Sequence, residues 1–411
     1  MESGWHTPAM VALMQTFNTT CAARFAHVFL LFFLGWSPKW SYAAQSKPPD
    51  CATPLWSAEL IKGLDTARTP GMPFLMDENR AGVAFLENNR LIAYEVDFDP
   101  TKLSSREDPG LSSSFRLRAY VLDAATGKIE SSKDWGTRAH ESFVQATSGG
   151  VLVRTGDLLR LHSKDFQEVQ QMPLPHPDPY EGWEIRTSAS GKTILVNHYI
   201  RESKPRLDVS RFELLDGTTF QVKQSWISSP SLKKGDGYSI SDTAMINHQY
   251  NHGDYHTTLS EFGSKVWKPV WKESEQNCGS AFVADGLFAF GCRQLSLVTT
   301  KGEVLMADGF DKGESRNWKV ATAQNGQAIA VSVNRSKGSD FWDTGKGIRL
   351  VATRLVVYDL FLKKRVLSVD IAPLPKNDYD FALSPDGSKL AILNDRRVSV
   401  CSVPLQPGGP R

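Results

Sequence analysis

Seven stretches of this chain share one pattern: an alternating apolar strand, a tight polar or glycine-bearing turn, and a second alternating strand. They are Val83–Tyr94, Phe143–Arg154, Ile185–Val196, Tyr238–Asn247, Ala281–Phe290, Val320–Val331 and Phe381–Leu393. Asp-Gly, Asn-Gly and Gly-Gly pairs, as in Asp285-Gly286, Asn325-Gly326 and Gly149-Gly150, tolerate the positive φ angles that two-residue hairpins require. The β-branched and aromatic residues on either side fit a pleated, packed surface. The turns recur every roughly 40 to 60 residues, the period of a repeat array whose units bury their apolar faces only against one another.

A second hairpin follows several of the first. Arg118–Ile129, Phe212–Val222, Leu295–Leu305 and Leu355–Leu367 each read as strand, turn, strand, which completes a four-stranded unit. The last unit has a third strand at Arg397–Val403 and then runs into Pro/Gly-rich residues, so Pro54–Leu60 at the other end of the chain is the candidate for its fourth. Such closure removes the exposed edges of an open ring. The expected fold is therefore all-β: a single β-propeller of about seven four-stranded blades over residues 45–411, closed by an N-terminal strand.

The hairpin Ser384-Pro-Asp-Gly-Ser-Lys-Leu-Ala391 resembles the blade hairpin of WD-repeat-like, TolB-type and YVTN-type bacterial propellers. Leu122-Asp-Ala-Ala-Thr-Gly-Lys-Ile129 is similar to the strand–turn–strand of quinoprotein-type propellers. There the match is partial, because Ser131 stands near the place of that family's docking tryptophan and Trp135 comes later. The resemblance covers nearly the whole chain after residue 44 at the level of blade grammar. It implies a fold and carries no catalytic residues with it.

The start of the chain reads as a secretory signal over residues 1–44. Arg24 precedes the apolar run Phe25–Leu34, and Ser41 and Ala43 give an A-x-A-like cleavage site. The run is short for a membrane span, which needs about 20 residues; an uncleaved anchor is the competing reading. A secreted or periplasmic protein with no stable membrane span after signal cleavage is the expectation. Four cysteines remain after residue 44: Cys51, Cys278, Cys292 and Cys401. An even number in an exported chain suggests disulfides. Cys278 and Cys292 flank the Asp285-Gly286 turn and would face each other across a hairpin. Cys51–Cys401 would staple the ring at its seam. Four free buried thiols are the alternative.

A net charge of +2, with 22% charged residues, gives no basic field for nucleic acid. The densest chemical signal is His248-Gln-Tyr-Asn-His-Gly-Asp-Tyr-His256. Read as a hairpin, it would bring His248 and His256 opposite each other, with Asp254 completing a site for a divalent metal; His- and Asn-rich tips are also common without function. No other cofactor is implied. Trp56, Trp135, Trp226, Trp267 and Trp271 recur at or beyond the expected outer strands, as blade-to-blade packing predicts. Three insertions, Asp97–Ser114, Pro173–Gly182 and Asn334–Gly347, lengthen connections of the kind that form binding surfaces. The sequence shows no nucleophile elbow, zinc-protease motif, P-loop or dinucleotide fingerprint, and catalytic residues stay unassigned. A binding platform for a protein or small-molecule ligand is the first reading. A propeller enzyme with a central-channel site, such as a metal-dependent hydrolase or lactonase, is the second.

Overall fold

The computed structural model describes residues 51, 54–60, 81–98, 115–137, 142–174, 182–201, 208–228, 237–251, 254–264, 266–273, 280–337, 349–375 and 379–406. All of these belong to one compact unit, Pro48–Arg411. They form strands and turns, and no helix occurs among them. Strand β1 (Trp56–Glu59) comes first. Blade 1 is β2 (Ala81–Glu87), β3 (Arg90–Phe98), β4 (Phe115–Asp123) and β5 (Ile129–Thr137). Blade 2 is β6 (Ser142–Thr147), β7 (Gly150–Thr155), β8 (Leu158–His162) and β9 (Glu168–Pro173). Blade 3 is β10 (Gly182–Thr187), β11 (Thr193–Arg201), β12 (Asp208–Asp216) and β13 (Val222–Ser228). Blade 4 is β14 (Gly237–Ile240), β15 (Ala244–Asn251), β16 (Asp254–Glu261) and β17 (Lys268–Glu273). Blade 5 is β18 (Ala281–Ala284), β19 (Leu287–Phe290), β20 (Gln294–Thr299) and β21 (Val304–Gly309). Blade 6 is β22 (Glu314–Thr322), β23 (Ala328–Lys337), β24 (Arg349–Asp359) and β25 (Lys364–Asp370). Blade 7 is β26 (Tyr379–Leu383), β27 (Lys389–Asn394) and β28 (Arg397–Ser402).

Each of the first six blades is an antiparallel meander of consecutive strands, and the seventh has the order β1-β28-β27-β26. This is a seven-bladed β-propeller. Its core is not one cluster but seven, one wedged between each pair of neighbouring blades. Both faces of the inner strands of each sheet are therefore buried, and this explains near-continuous apolar runs such as Leu91-Ile-Ala93 and Val151-Leu-Val153, whose six side chains are all inaccessible to solvent. Trp56, Trp135, Trp226 and Trp267 pack between blades as expected, and the Trp271 side chain lies outside the described residues. Trp226 stacks on Phe212 at 5.1 Å and reaches Phe262 of blade 4, and Trp135 meets Phe166 of blade 2 edge-on.

Closure is concentrated in a few residues. Trp56 to Glu59 pair with Val400 to Arg397, and Leu55 N–H donates to Val400 O at 2.7 Å. The Trp56 indole crosses to blade 1, where Nε1 donates to Ala124 O at 2.9 Å. It lies so flat on Gly127 (φ 73°) that a Cβ there would sit 2.6 Å from the ring. Cys51 is joined to Cys401 by a disulfide with Cα atoms 6.0 Å apart, and Cys401 is itself buried in the wedge between blades 6 and 7.

Two features depart from the expected hairpin grammar. Ser384–Ser388 is a five-residue turn and not a two-residue one, held by Asp386 Oδ1, which accepts from Ser384 Oγ at 2.6 Å and Ser388 N at 2.9 Å. Only Gly387 there takes positive φ, 75°. The outer hairpins of blades 2 and 4 carry no sequence signature. In blade 2 the left-handed turn residue is Phe166, at φ 60°, a residue that no turn rule nominates. In blade 4 the outer strand contains Pro269 opposite a bulge at Thr257/Thr258, which demotes a strand in sequence but is tolerated at a sheet edge.

The disulfide spans 350 residues, a loop whose closure restricts the denatured chain by about 5–6 kcal/mol in the chain-entropy account. The double variant C51S/C401S is expected to remain a propeller by circular dichroism. It should unfold at markedly lower denaturant concentration than the parent, with a steeper denaturant slope, because the uncross-linked denatured chain exposes more surface.

Candidate functional site

An even number of strands per blade has a consequence for the surface. In a four-stranded meander, the entry to the innermost strand, the link between the second and third strands and the exit from the outermost strand all share one end. The other two links share the opposite end. These latter turns are short and hydrogen-bonded from blade to blade. Ser148 N donates to Gly191 O at 2.9 Å and Gly149 N to Gly217 O at 3.0 Å; a Cβ on Gly149 would stand 2.7 Å from Thr218 O. Ser190 Oγ donates to Asp242 at 2.8 Å, Asp242 N to Asp285 Oδ1 at 3.3 Å, Asn325 N to Pro385 O at 3.1 Å and Asp386 N to Asn88 Oδ1 at 2.9 Å. These links gather the short turns onto one face of the ring. Large exposed apolar side chains near that face, such as Ile129, Val169, Val222, Val304 and Phe361, fall one to a blade on blades 1, 2, 3, 5 and 6.

The opposite face is where every long connection begins and ends. Strands β1 and β2 are joined across 60–80, β3 and β4 across 99–114, and β23 and β24 across 338–348. All three insertions flagged in the sequence start and end at this face; most of their residues lie outside the described ones. The described rim between them carries mixed charge. Arg118 donates to Asp134 Oδ1 at 2.8 Å, with Arg116 at 3.6 Å from the same carboxylate. That pairing holds the Arg118 guanidinium well above its usual pKa. In blade 6, buried Glu314 accepts from Arg335 at 3.1 Å and from Arg354 at 2.7 Å.

The channel wall is formed by the innermost strands, which are stitched by side chains. Asp380 of blade 7 takes Val83 N of blade 1 at 2.9 Å and pairs with Lys319 of blade 6. The Lys319 ammonium also stands 5.3 Å above the Phe381 ring. Thr187 Oγ1 donates to Gln145 at 3.2 Å, and Phe282 N to Ser239 Oγ at 3.1 Å. These wall groups are thus tied from blade to blade. Sequence reasoning missed the Lys319–Asp380 pair because its members are 61 residues apart and carry no motif.

The histidine-rich segment does form a hairpin, with Asn251 paired to Asp254 around 252–253. Its register differs from the expected one. His256 pairs with Gln249 and His248 with Thr257, so His248 and His256 are offset by one position and are not opposite. The reason is parity: a two-residue tip after Asn251 aligns only positions equally distant from it. The side chains of His248, Asp254 and His256 lie outside the described residues. Among the described residues, no group of three or more His, Cys, Asp or Glu is placed to hold a metal ion. Cys292 is disulfide-bonded, and Cys278, its expected partner, lies outside the described residues. No helix among the described residues is long and apolar enough to cross a membrane.

No protein-family model matches the sequence, and no curated protein does. Among solved structures, the chain is similar to the C-terminal WD40 domain of Sif2, with 14% identity and a TM-score of 0.46, covering 80% of this chain and 96% of that one. It is also similar to a chain of a mitotic checkpoint complex, with 13% identity and a TM-score of 0.45, covering 87% and 98%. The fold rests on the strand topology itself.

One buried titratable group stands apart. His162, at the end of β8, is inaccessible to solvent and packs 5.3 Å from Trp135 of blade 1. Neither ring nitrogen has a well-aligned partner. Burial, reinforced by Lys133 and Arg160 against the opposing Glu168, lowers its pKa to about 4. The neutral imidazole is the folded form, so its contribution is complete above the unfolded value near 6.5 and is lost as pH falls toward 4. At one pKa unit per about 1.4 kcal/mol, about 3 kcal/mol should disappear over that window. Denaturant titrations at pH 7 and pH 4 should show a smaller loss in His162→Gln than in the parent.

Proposed function

We propose that this β-propeller is exported, to the periplasm or the cell exterior, and acts as a non-catalytic platform that binds a protein partner through the face bearing the long connections. The observation that carries the reading is the contrast between the two faces. One is closed by short turns bonded to one another, and the other gathers every long connection and a rim of arginines and carboxylates. Protein partners are recognised by such polar rims, whose charges steer encounter and fix register. Export is supported by the signal-like N-terminal segment and by the disulfide across the ring seam, a bond that persists in oxidising compartments.

The test uses the mature protein as bait on the exported fraction of its source cells. Arg116→Ala and Arg335→Ala alter exposed groups on the long-connection face, and Lys128→Ala and Lys301→Ala alter the short-turn face. A cross-linked partner should bind at least tenfold more weakly to the first pair of variants and equally to the second. Loss confined to the short-turn variants would overturn the assignment of the face. A chain retained in the cytoplasm with residues 1–44 intact would overturn export.

A further inference from the structure

The wedge between blades 6 and 7 changes character along its length. Near the short-turn face it is apolar, with Ala330, Leu355 and Val357 of blade 6 against Phe381 and Ile392 of blade 7. Alternation carries the same surfaces toward the long-connection face as Ser332, Asn334 and Thr353 on one side and Tyr379 and Asn394 on the other. The register confirms that these positions share a face, with Ser332 paired to Leu355, Asn334 to Thr353 and Tyr379 to Asn394. Ser332 is fully buried and Thr353 is 2% exposed. The Thr353 hydroxyl and the Oδ1 atoms of Asn334 and Asn394 lack a protein partner. The Asn394 amide is fixed by its bond to Pro373 O at 2.9 Å, which commits Oδ1 to the wedge. The Ser332 hydroxyl lies beside the Tyr379 phenol, whose pKa burial raises.

The same arrangement recurs three blades earlier. Between blades 3 and 4, an apolar part formed by Leu195, Phe212, Ile240 and Met245 gives way to Asn197, Ser210 and Asn247, which are 0%, 0% and 2% exposed. Both amide atoms of Asn197, Ser210 Oγ and Asn247 Oδ1 have no protein partner. Asn197 pairs with Phe212 as Ser332 pairs with Leu355, and Asn247 pairs with Tyr238 as Asn394 pairs with Tyr379.

Buried polar atoms are almost always hydrogen-bonded, to protein or to ordered water. Here they stand on the facing surfaces of two neighbouring blades. Amide oxygens only accept, the Asn197 Nδ2 only donates, and hydroxyls do either; none of these side chains is charged, so the guest must be neutral and able both to donate and to accept. We infer that the blade 6–7 and blade 3–4 boundaries each hold a bound cluster of internal water that bridges the two blades at their long-connection end.

Thr353→Val and Ser210→Ala test this in the full mature chain, with thermal unfolding and high-resolution crystal structures as readouts. A bridged hydroxyl makes its removal unfavourable, and each variant should melt about 2–4 °C lower. The parent crystals should show water contacting Thr353 and Ser210, reduced or displaced in the variants. An unhydrated wedge gives the opposite sign, because deleting an unbonded buried hydroxyl is neutral or stabilising. Unchanged or raised melting temperatures would therefore overturn the inference. So would density larger than water at either boundary, which would make it an organic-ligand pocket.

Discussion

A ring of sheets has one place where sequence-adjacent strands do not close it, and this propeller places most of its closing interactions there. Blade 7 supplies only three consecutive strands, and its outer edge would stand open without the four-residue β1. Four backbone pairs are a small contact by themselves, and an isolated two-stranded pairing is marginal in water. The Trp56 indole spanning to blade 1 and the Cys51–Cys401 bond convert that pairing into a fixed joint. Every other boundary is formed by blades already adjacent in the chain, so the whole ring depends on this one for its curvature to be held.

Given closure, the seven wedges supply the hydrophobic stabilisation and polar links set the registry between blades. Apolar contact is non-directional and would allow a blade to slide on its neighbour. Bonds such as Asp380 to Val83 N and Asp386 N to Asn88 allow only one arrangement. The Lys319–Asp380 pair belongs to this class: Asp380 is 6% exposed and Lys319 39%, so the carboxylate is desolvated while its partner keeps contact with water. The two polar wedge regions show the same principle with hydroxyls and amides.

The functional contrast between the faces follows from counting strands. Four per blade sends alternate links to opposite faces. The face with innermost-to-second and third-to-outermost links is closed by mutual hydrogen bonding between turns. The other face inherits all insertions, whatever their position in the sequence. Length can accumulate there with little disturbance of a wedge, because the bonds between the short turns do not involve those links and only link ends such as Leu174 and Ile371 enter the apolar clusters.

The seven hairpins, the four-stranded unit and the supply of a last strand from the N-terminal side were legible in the sequence. Alternation, turn residues and the count of strands before the chain ends are local facts. The disulfide partner for Cys401 was legible because strand order places Cys51 beside it. The outer hairpins of blades 2 and 4 were not, since Phe166 and Pro269 occupy positions that only the neighbouring blades justify. The offset between His248 and His256 was hidden by a single residue of register, which the hydrophobic pattern does not fix near a hairpin tip. Which face receives the insertions, the pairing of Lys319 with Asp380 and the meeting of Ser332 with Tyr379 were decided by tertiary structure alone. Each joins residues from different blades, and the geometry between blades arises from packing two sheets together, not from either strand by itself.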